Sequence, residues 1–141
     1  MLVVGYDGSD GASSALDTAI ALAGPLGEPL LIAFAAQPPG RSVGDEYRQH
    51  LAALEERGRE LTDAAVARAV DAGVTAEAVI ADLKVVDLLL DLADERGARM
   101  IVVGTYGESP LRGAVLGSTP HKLLHLSKVP VLAVPASPPT S

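Results

Sequence analysis

Four runs of apolar residues, at 2–6, 30–35, 100–103 and 129–134, lack the polar residue at every second position that a strand with one wet face would carry. Continuity without alternation marks strands covered on both faces, and sheets covered on both faces are characteristically parallel. Helical spacing fills the intervals. Ala12, Ala15, Leu16, Ala19, Ile20 and Ala23 step at 3.6-residue intervals until Gly24-Pro25, with Ser9 or Asp10 as the natural N-cap. Tyr47, Leu51, Leu54, Gly58, Leu61 and Ala65 form a longer stripe, flanked by Glu55, Glu56, Arg57, Arg59 and Glu60 and ending near Gly73. A weaker strand over 74–81, a third helix through Val86, Leu89, Leu90 and Ala93 that stops at Arg96-Gly97, and a fourth helix over 118–127 complete the chain.

The order βαβαβαβαβ predicts an α/β fold with one parallel sheet and helices on both faces. Right-handed crossovers then place a ligand crevice at the C-terminal ends of the strands. The composition suits such a fold: 48% of the 141 residues are hydrophobic, but with one Phe, three Tyr and no Trp the core must come from Ala, Val, Leu and Ile. The length fits one domain, expected over 1–136, with 137–141 as a disordered tail.

Composition also excludes whole classes of function. No cysteine is present, which removes disulfides, thiol chemistry and cysteine-based metal sites. No apolar run nears 18 residues and no leader pattern precedes a small-residue cleavage site, so no membrane association and a cytoplasmic location are expected. The formal net charge of −7, with 11 scattered Lys and Arg, argues against nucleic-acid binding. A small anionic ligand is compatible with that charge, because backbone amides and a bound cation neutralise phosphate locally.

Two polar, glycine-bearing loops fall at strand C-termini: Asp7-Gly8-Ser9-Asp10-Gly11, and the stretch from Gly104 through Gly107 and Gly113 to Gly117, which delivers the chain to Ser118 and Thr119. The first turn of a helix has unpaired N–H groups, and glycines let a phosphate approach them closely. A βα loop of this length exceeds the usual two to six residues, as functional loops do. Asp7, at the neighbouring strand end, suits a phosphate site when a hard cation such as Mg²⁺ bridges carboxylate and phosphate oxygens.

The pattern Gly104-x-x-Gly107, nine residues, Gly117-Ser118, together with residues 3–9 (Val-Val-Gly-Tyr-Asp-Gly-Ser) and 129–134 (Val-Pro-Val-Leu-Ala-Val), resembles the ATP-binding branch of the universal stress protein family over nearly the whole chain. The resemblance implies a doubly wound, Rossmann-like five-stranded parallel sheet of order 3-2-1-4-5. It also implies an adenine nucleotide, ATP with Mg²⁺, and a homodimer formed through the last strand, between Val129 and Val134. Carried over by position, Asp7 lies beside the nucleotide and its metal, with Gly5 and Tyr6 nearby. Ala35 offers backbone contacts to the adenine, Val103, Gly104 and Gly107 line the ribose and phosphate side, and Gly117, Ser118 and Thr119 bind phosphate. The function implied is that of a nucleotide-linked regulator in stress response, with at most slow ATP hydrolysis and no dedicated catalytic residues.

Four departures from the family pattern are visible: Tyr106, Glu108, Leu83-Lys84-Val85 after the third strand, and Pro120. Glu108 repels phosphate and Pro120 removes one N–H from the first turn of the fourth helix. They keep open a second reading, a dimeric signalling protein of the same fold with weakened nucleotide binding. Other constellations read as ordinary structure. His121 and His125 share a helix face without a third zinc-like ligand, His50 sits in a charged helix, and Asp7-Gly8-Ser9-Asp10-Gly11 lacks the first glycine of a nucleophile elbow. A glycine-rich dinucleotide fingerprint is missing after the first strand.

Overall fold

The computed structural model describes residues 1–40, 43–105 and 116–136. Along the chain it has β1 (Leu2–Gly5), α1 (Asp10–Leu26), β2 (Leu30–Ala35), α2 (Gly44–Asp71), β3 (Ala76–Ala81), α3 (Val85–Glu95), β4 (Met100–Gly104), α4 (Ser118–Leu126) and β5 (Val131–Val134). The five strands form one parallel sheet in the order β3-β2-β1-β4-β5. Register is set by pairs such as Leu2 with Leu30 and with Met100, and Ile101 with Val131.

The winding follows from handedness. The first two crossovers move from β1 outward to β2 and β3, so α1 and α2 cover one face. The next two move the other way, to β4 and β5, and right-handed connections then put α3 and α4 on the opposite face. The core accordingly has two layers. Leu2, Val4, Leu30, Ile32 and Val102 meet Leu16, Ala19, Ala65 and Ala69 on one side. Val3, Leu31, Ala33, Ile101 and Val103 meet Leu88, Leu89, Leu92 and Leu123 on the other. All of the residues in β1 are buried, as its central place demands, whereas β3 at the edge leaves Glu77 and Ala78 exposed. No helix among the described residues is long and apolar enough to cross a membrane.

Three helices end in the same device. Gly27, Gly73 and Gly97 each adopt a left-handed φ, and the next residue donates back to a carbonyl five positions earlier: Glu28 to Ala23, Val74 to Ala69, Ala98 to Ala93. This corrects the expectation that Gly24-Pro25 stops α1. The helix runs through Pro25 to Leu26, because Gly24 has no Cβ for the proline ring to strike, and Gly27 makes the turn instead. The cap at Gly73 likewise holds Val74 in the turn, so β3 begins at Ala76 rather than at 74. The last strand begins at Val131 rather than at 129, since Ser127 closes a small turn with Val129 through its hydroxyl and Pro130 has no N–H to contribute. The expected tail at 137–141 lies outside the described residues.

Glycine in the middle of α2 has a packing reason. Gly58 faces Phe34 of β2, and a Cβ there would lie 2.5 Å from the Phe34 Cδ1 atom. With Thr62, Ala65 and Ala69, it makes the small-residue stripe by which a long helix lies close to the sheet.

Candidate functional site at the ends of β1 and β4

β1 and β4 are neighbours whose connections leave in opposite directions, which makes their C-terminal ends the switch point of the sheet. The loop after β1 is built by local capping. One oxygen of the Asp7 carboxylate accepts the Ser9 N–H at 2.9 Å, and the Ser9 hydroxyl accepts the Ala12 N–H at 3.2 Å. Ser9 is thus the N-cap of α1, and Asp7 forms an Asx turn while its second oxygen has no partner among the described residues. Gly8 takes a left-handed φ of 83° and lies against Leu61 of α2.

Backbone contact joins the two loops. A Cβ on Gly104 would lie 2.7 Å from the Gly11 carbonyl carbon and 2.8 Å from its oxygen, so the end of β4 presses on the first turn of α1 with no side chain between them. Gly5 and Val103 also adjoin: a Cβ on Gly5 would lie 3.2 Å from both Val103 Cγ1 and Leu89 Cδ1. Gly104 is therefore explained by packing, whatever else it serves, while a Cβ on Gly5 would need the Leu89 and Val103 side chains to give by only a few tenths of an ångström.

The neck of the second loop is Thr105. Its N–H donates to the Val134 carbonyl at 3.0 Å, and its carbonyl accepts the Gly117 N–H at 2.8 Å. Gly117 is the N-cap of α4, without a side-chain cap, and its carbonyl accepts the first intrahelical bond from His121. The Gly117 amide expected to meet phosphate is therefore committed to Thr105. Among the described residues the Ser118 and Thr119 N–H groups have no backbone partner, and Pro120 has no N–H. Both carry hydroxyls and lie near or at the surface.

The remaining expected residues divide between wall and core. Ala35 ends β2 opposite Ala81, and the Ala36 N–H continues the ladder to the Ala81 carbonyl. Tyr6 packs against the α1 side of the core, and its N–H bonds the Ala33 carbonyl, one strand over. The Val103 side chain is buried, leaving its backbone for any ligand contact. Tyr106, Gly107, Glu108 and Gly113 lie outside the described residues. Among the described residues no group of three or more His, Asp or Glu is placed to hold a metal. His121 and His125 stack edge to face, 4.9 Å between ring centroids, on the exposed side of α4.

Two features were not found by reading the sequence. The Thr105 hydroxyl oxygen is buried and has no hydrogen-bond partner among the described residues. The pinch between Gly104 and Gly11 joins loops nearly a hundred residues apart. A threonine directly after Gly104 at a strand end was the available signal for the first; the second has no signature in a single sequence.

Comparison with known proteins agrees with this architecture. The family model described as the universal stress protein family matches residues 1–135. This chain belongs to the universal stress protein family. Universal stress protein YxiE of Bacillus subtilis is 32% identical, with 94% of this chain and 97% of the relative covered. Hypothetical protein MJ0577 has the same fold, with a TM-score of 0.88 at 20% identity, covering 98% of this chain and 96% of that one. A universal stress protein solved in complex with cAMP is 33% identical, with a TM-score of 0.66 and coverage of 96% and 97%. Other structures of the fold carry dAMP, in the Archaeoglobus fulgidus protein, or AMP, in an Arabidopsis thaliana protein.

Proposed function

We propose that this universal stress protein binds an adenine nucleotide, ATP with Mg²⁺, across the ends of β1 and β4 and acts in the cytoplasm as a nucleotide-linked regulator of the stress response. The observation that supports the reading is that two polar segments follow neighbouring strands at the switch point. The Asp7 turn stands on one strand, the first turn of α4 stands beyond its neighbour, and the Gly104–Gly11 contact ties them together. The adenine nucleotides held by relatives, cAMP at 33% identity among them, support the ligand class. Ser118 and Thr119 would supply amides and hydroxyls to phosphate, Asp7 would share the cation, and Ala35 would face the base with its backbone. The helix dipole at α4 adds to the attraction for anions. The partly buried edge strand β5, open on one side, would pair with a second copy to form a homodimer.

A second reading has one specific observation in its favour. With the Gly117 amide bonded to Thr105 and no N–H on Pro120, α4 offers fewer backbone donors than a helix N-terminus normally provides. On that reading the chain signals through its dimer surface and holds phosphate weakly. Native mass spectrometry of the purified protein, followed by calorimetric titration with ATP with and without Mg²⁺, separates the two. Bound adenine nucleotide, or Mg²⁺-dependent heat that Asp7→Asn reduces, supports the first reading. A ligand-free protein with no heat for any adenine nucleotide removes it.

A further inference from the structure

The Thr105 hydroxyl is the one buried side-chain polar atom without a hydrogen-bond partner among the described residues. A hydroxyl shut away from water without a partner is destabilising, and such groups in native structures call for an explanation. Thr105 is otherwise fully used: its N–H bonds Val134 and its carbonyl bonds Gly117, which fixes the residue between β5 and the cap of α4. The hydroxyl is the only polar group it has left.

The position of that residue matters. Through the bond to Gly117, Thr105 stands beside the residue that precedes Ser118 and Thr119, whose amides have no backbone partner among the described residues. One donor is missing there because position 120 is proline, and another because Gly117 is engaged. We infer that the Thr105 hydroxyl is a phosphate donor of this site, supplying to an anionic ligand oxygen the hydrogen bond that Pro120 and Gly117 do not. Threonine occupies staggered χ1 wells, so a side-chain rotation re-aims the hydroxyl while the backbone bonds to Val134 and Gly117 stay made. In the free protein the group pays for desolvation; on binding it gains a charged partner. This inference rests on the nucleotide reading above and names a residue that reading did not include.

Thr105→Val tests it, since valine keeps the shape and removes only the hydroxyl. Calorimetric affinities for ATP, AMP and adenosine are compared between wild type, Thr105→Val and Thr105→Ser, with thermal melting of each ligand-free protein. A hydrogen bond to a charged group leads us to expect a loss of about ten- to a hundredfold for ATP and AMP in Thr105→Val. Adenosine affinity stays unchanged, Thr105→Ser retains most of the phosphate affinity, and the ligand-free valine variant melts at or above the wild-type temperature. Wild-type ATP affinity in Thr105→Val overturns the inference, as does an equal loss for adenosine, which would place the hydroxyl away from phosphate. A lower melting temperature for ligand-free Thr105→Val also overturns it, because the hydroxyl would then have a partner within the folded protein. If the wild type binds none of the three, the parent reading falls first and takes this one with it, a result distinct from those produced by the valine variant alone.

Discussion

Gly58→Ala sets two effects of known size against each other. Glycine in a helix interior is about 1 kcal/mol less favourable than alanine, so on propensity alone the substitution stabilises α2. Against this, the new methyl would lie 2.5 Å from Phe34 Cδ1, 2.8 Å from Cε1 and 3.1 Å from Cγ, where ordinary carbon contacts begin near 3.5 Å. Three atoms including the root of the ring are struck, so a turn of the ring cannot relieve the clash. Phe34 is 6% exposed and rooted in β2, which pairs on both sides. Either the ring or the helix must move by about 1 Å, and overpacking of this kind costs about 1 to 3 kcal/mol, here near the upper end. The net expectation is destabilisation by about 1 to 2 kcal/mol, a fall in melting temperature of about 3 to 8 °C for a chain of this length. Chemical denaturation of wild type, Gly58→Ala, Phe34→Leu and the double variant forms a cycle. Removing the ring should relieve the methyl, so the double variant is more stable than the two single losses predict, by about 1 kcal/mol or more. A Gly58→Ala protein as stable as wild type, or strictly additive losses, would show that propensity rather than the Phe34 contact governs this position.

Gly104→Ala meets backbone at 2.7 Å rather than a side chain and should cost about 2 to 3 kcal/mol by denaturant unfolding, whereas Gly5→Ala meets only the ends of Leu89 and Val103 at 3.2 Å and should cost about 1 kcal/mol or less. The Glu28 carboxyl is held below its ordinary range by the N-terminal ammonium and by Arg99. A depressed carboxylate stabilises above its unfolded-state pKa and loses that contribution as pH falls through the folded value. Melting curves of Glu28→Gln should therefore lie below wild type at neutral pH and converge with it in acid. Asp82 accepts a hydrogen bond from the Tyr47 hydroxyl and raises the Tyr47 pKa, so Asp82→Asn should lower the pH at which tyrosinate absorbance appears. The edge strand predicts a dimer by light scattering that Val131→Asp converts to monomer, with melting curves confirming that the variant is folded; a monomeric wild type ends that proposal.

The winding of the sheet was legible because it depends on pattern. Unbroken apolar runs at 30–35 and 100–103 mark doubly covered strands, and the alternation with helical stripes leaves a parallel sheet as the economical solution. Boundaries went astray where two signals competed. At Gly24-Pro25 the proline looked like a stop, yet the missing Cβ beside it was what let the helix continue. At the site, sequence placed Asp7, Ser118 and Thr119 at the right strand and helix ends, since loops follow elements. It did not reveal that the Gly117 amide bonds Thr105, or that the Thr105 hydroxyl is left over, because both depend on how β5 and the end of β4 meet in space.

The pinch between Gly104 and Gly11 bears on how this family's glycine signature is to be weighed. A chain that had given up nucleotide altogether would still need no side chain at position 104, because α1 occupies that space in the empty fold. Retention of Gly104 in a related sequence therefore testifies to the docking of α1, not to occupancy of the crevice. The informative positions are those that helix docking does not explain: the second oxygen of Asp7, the first-turn residues Ser118 and Thr119, and the hydroxyl of Thr105.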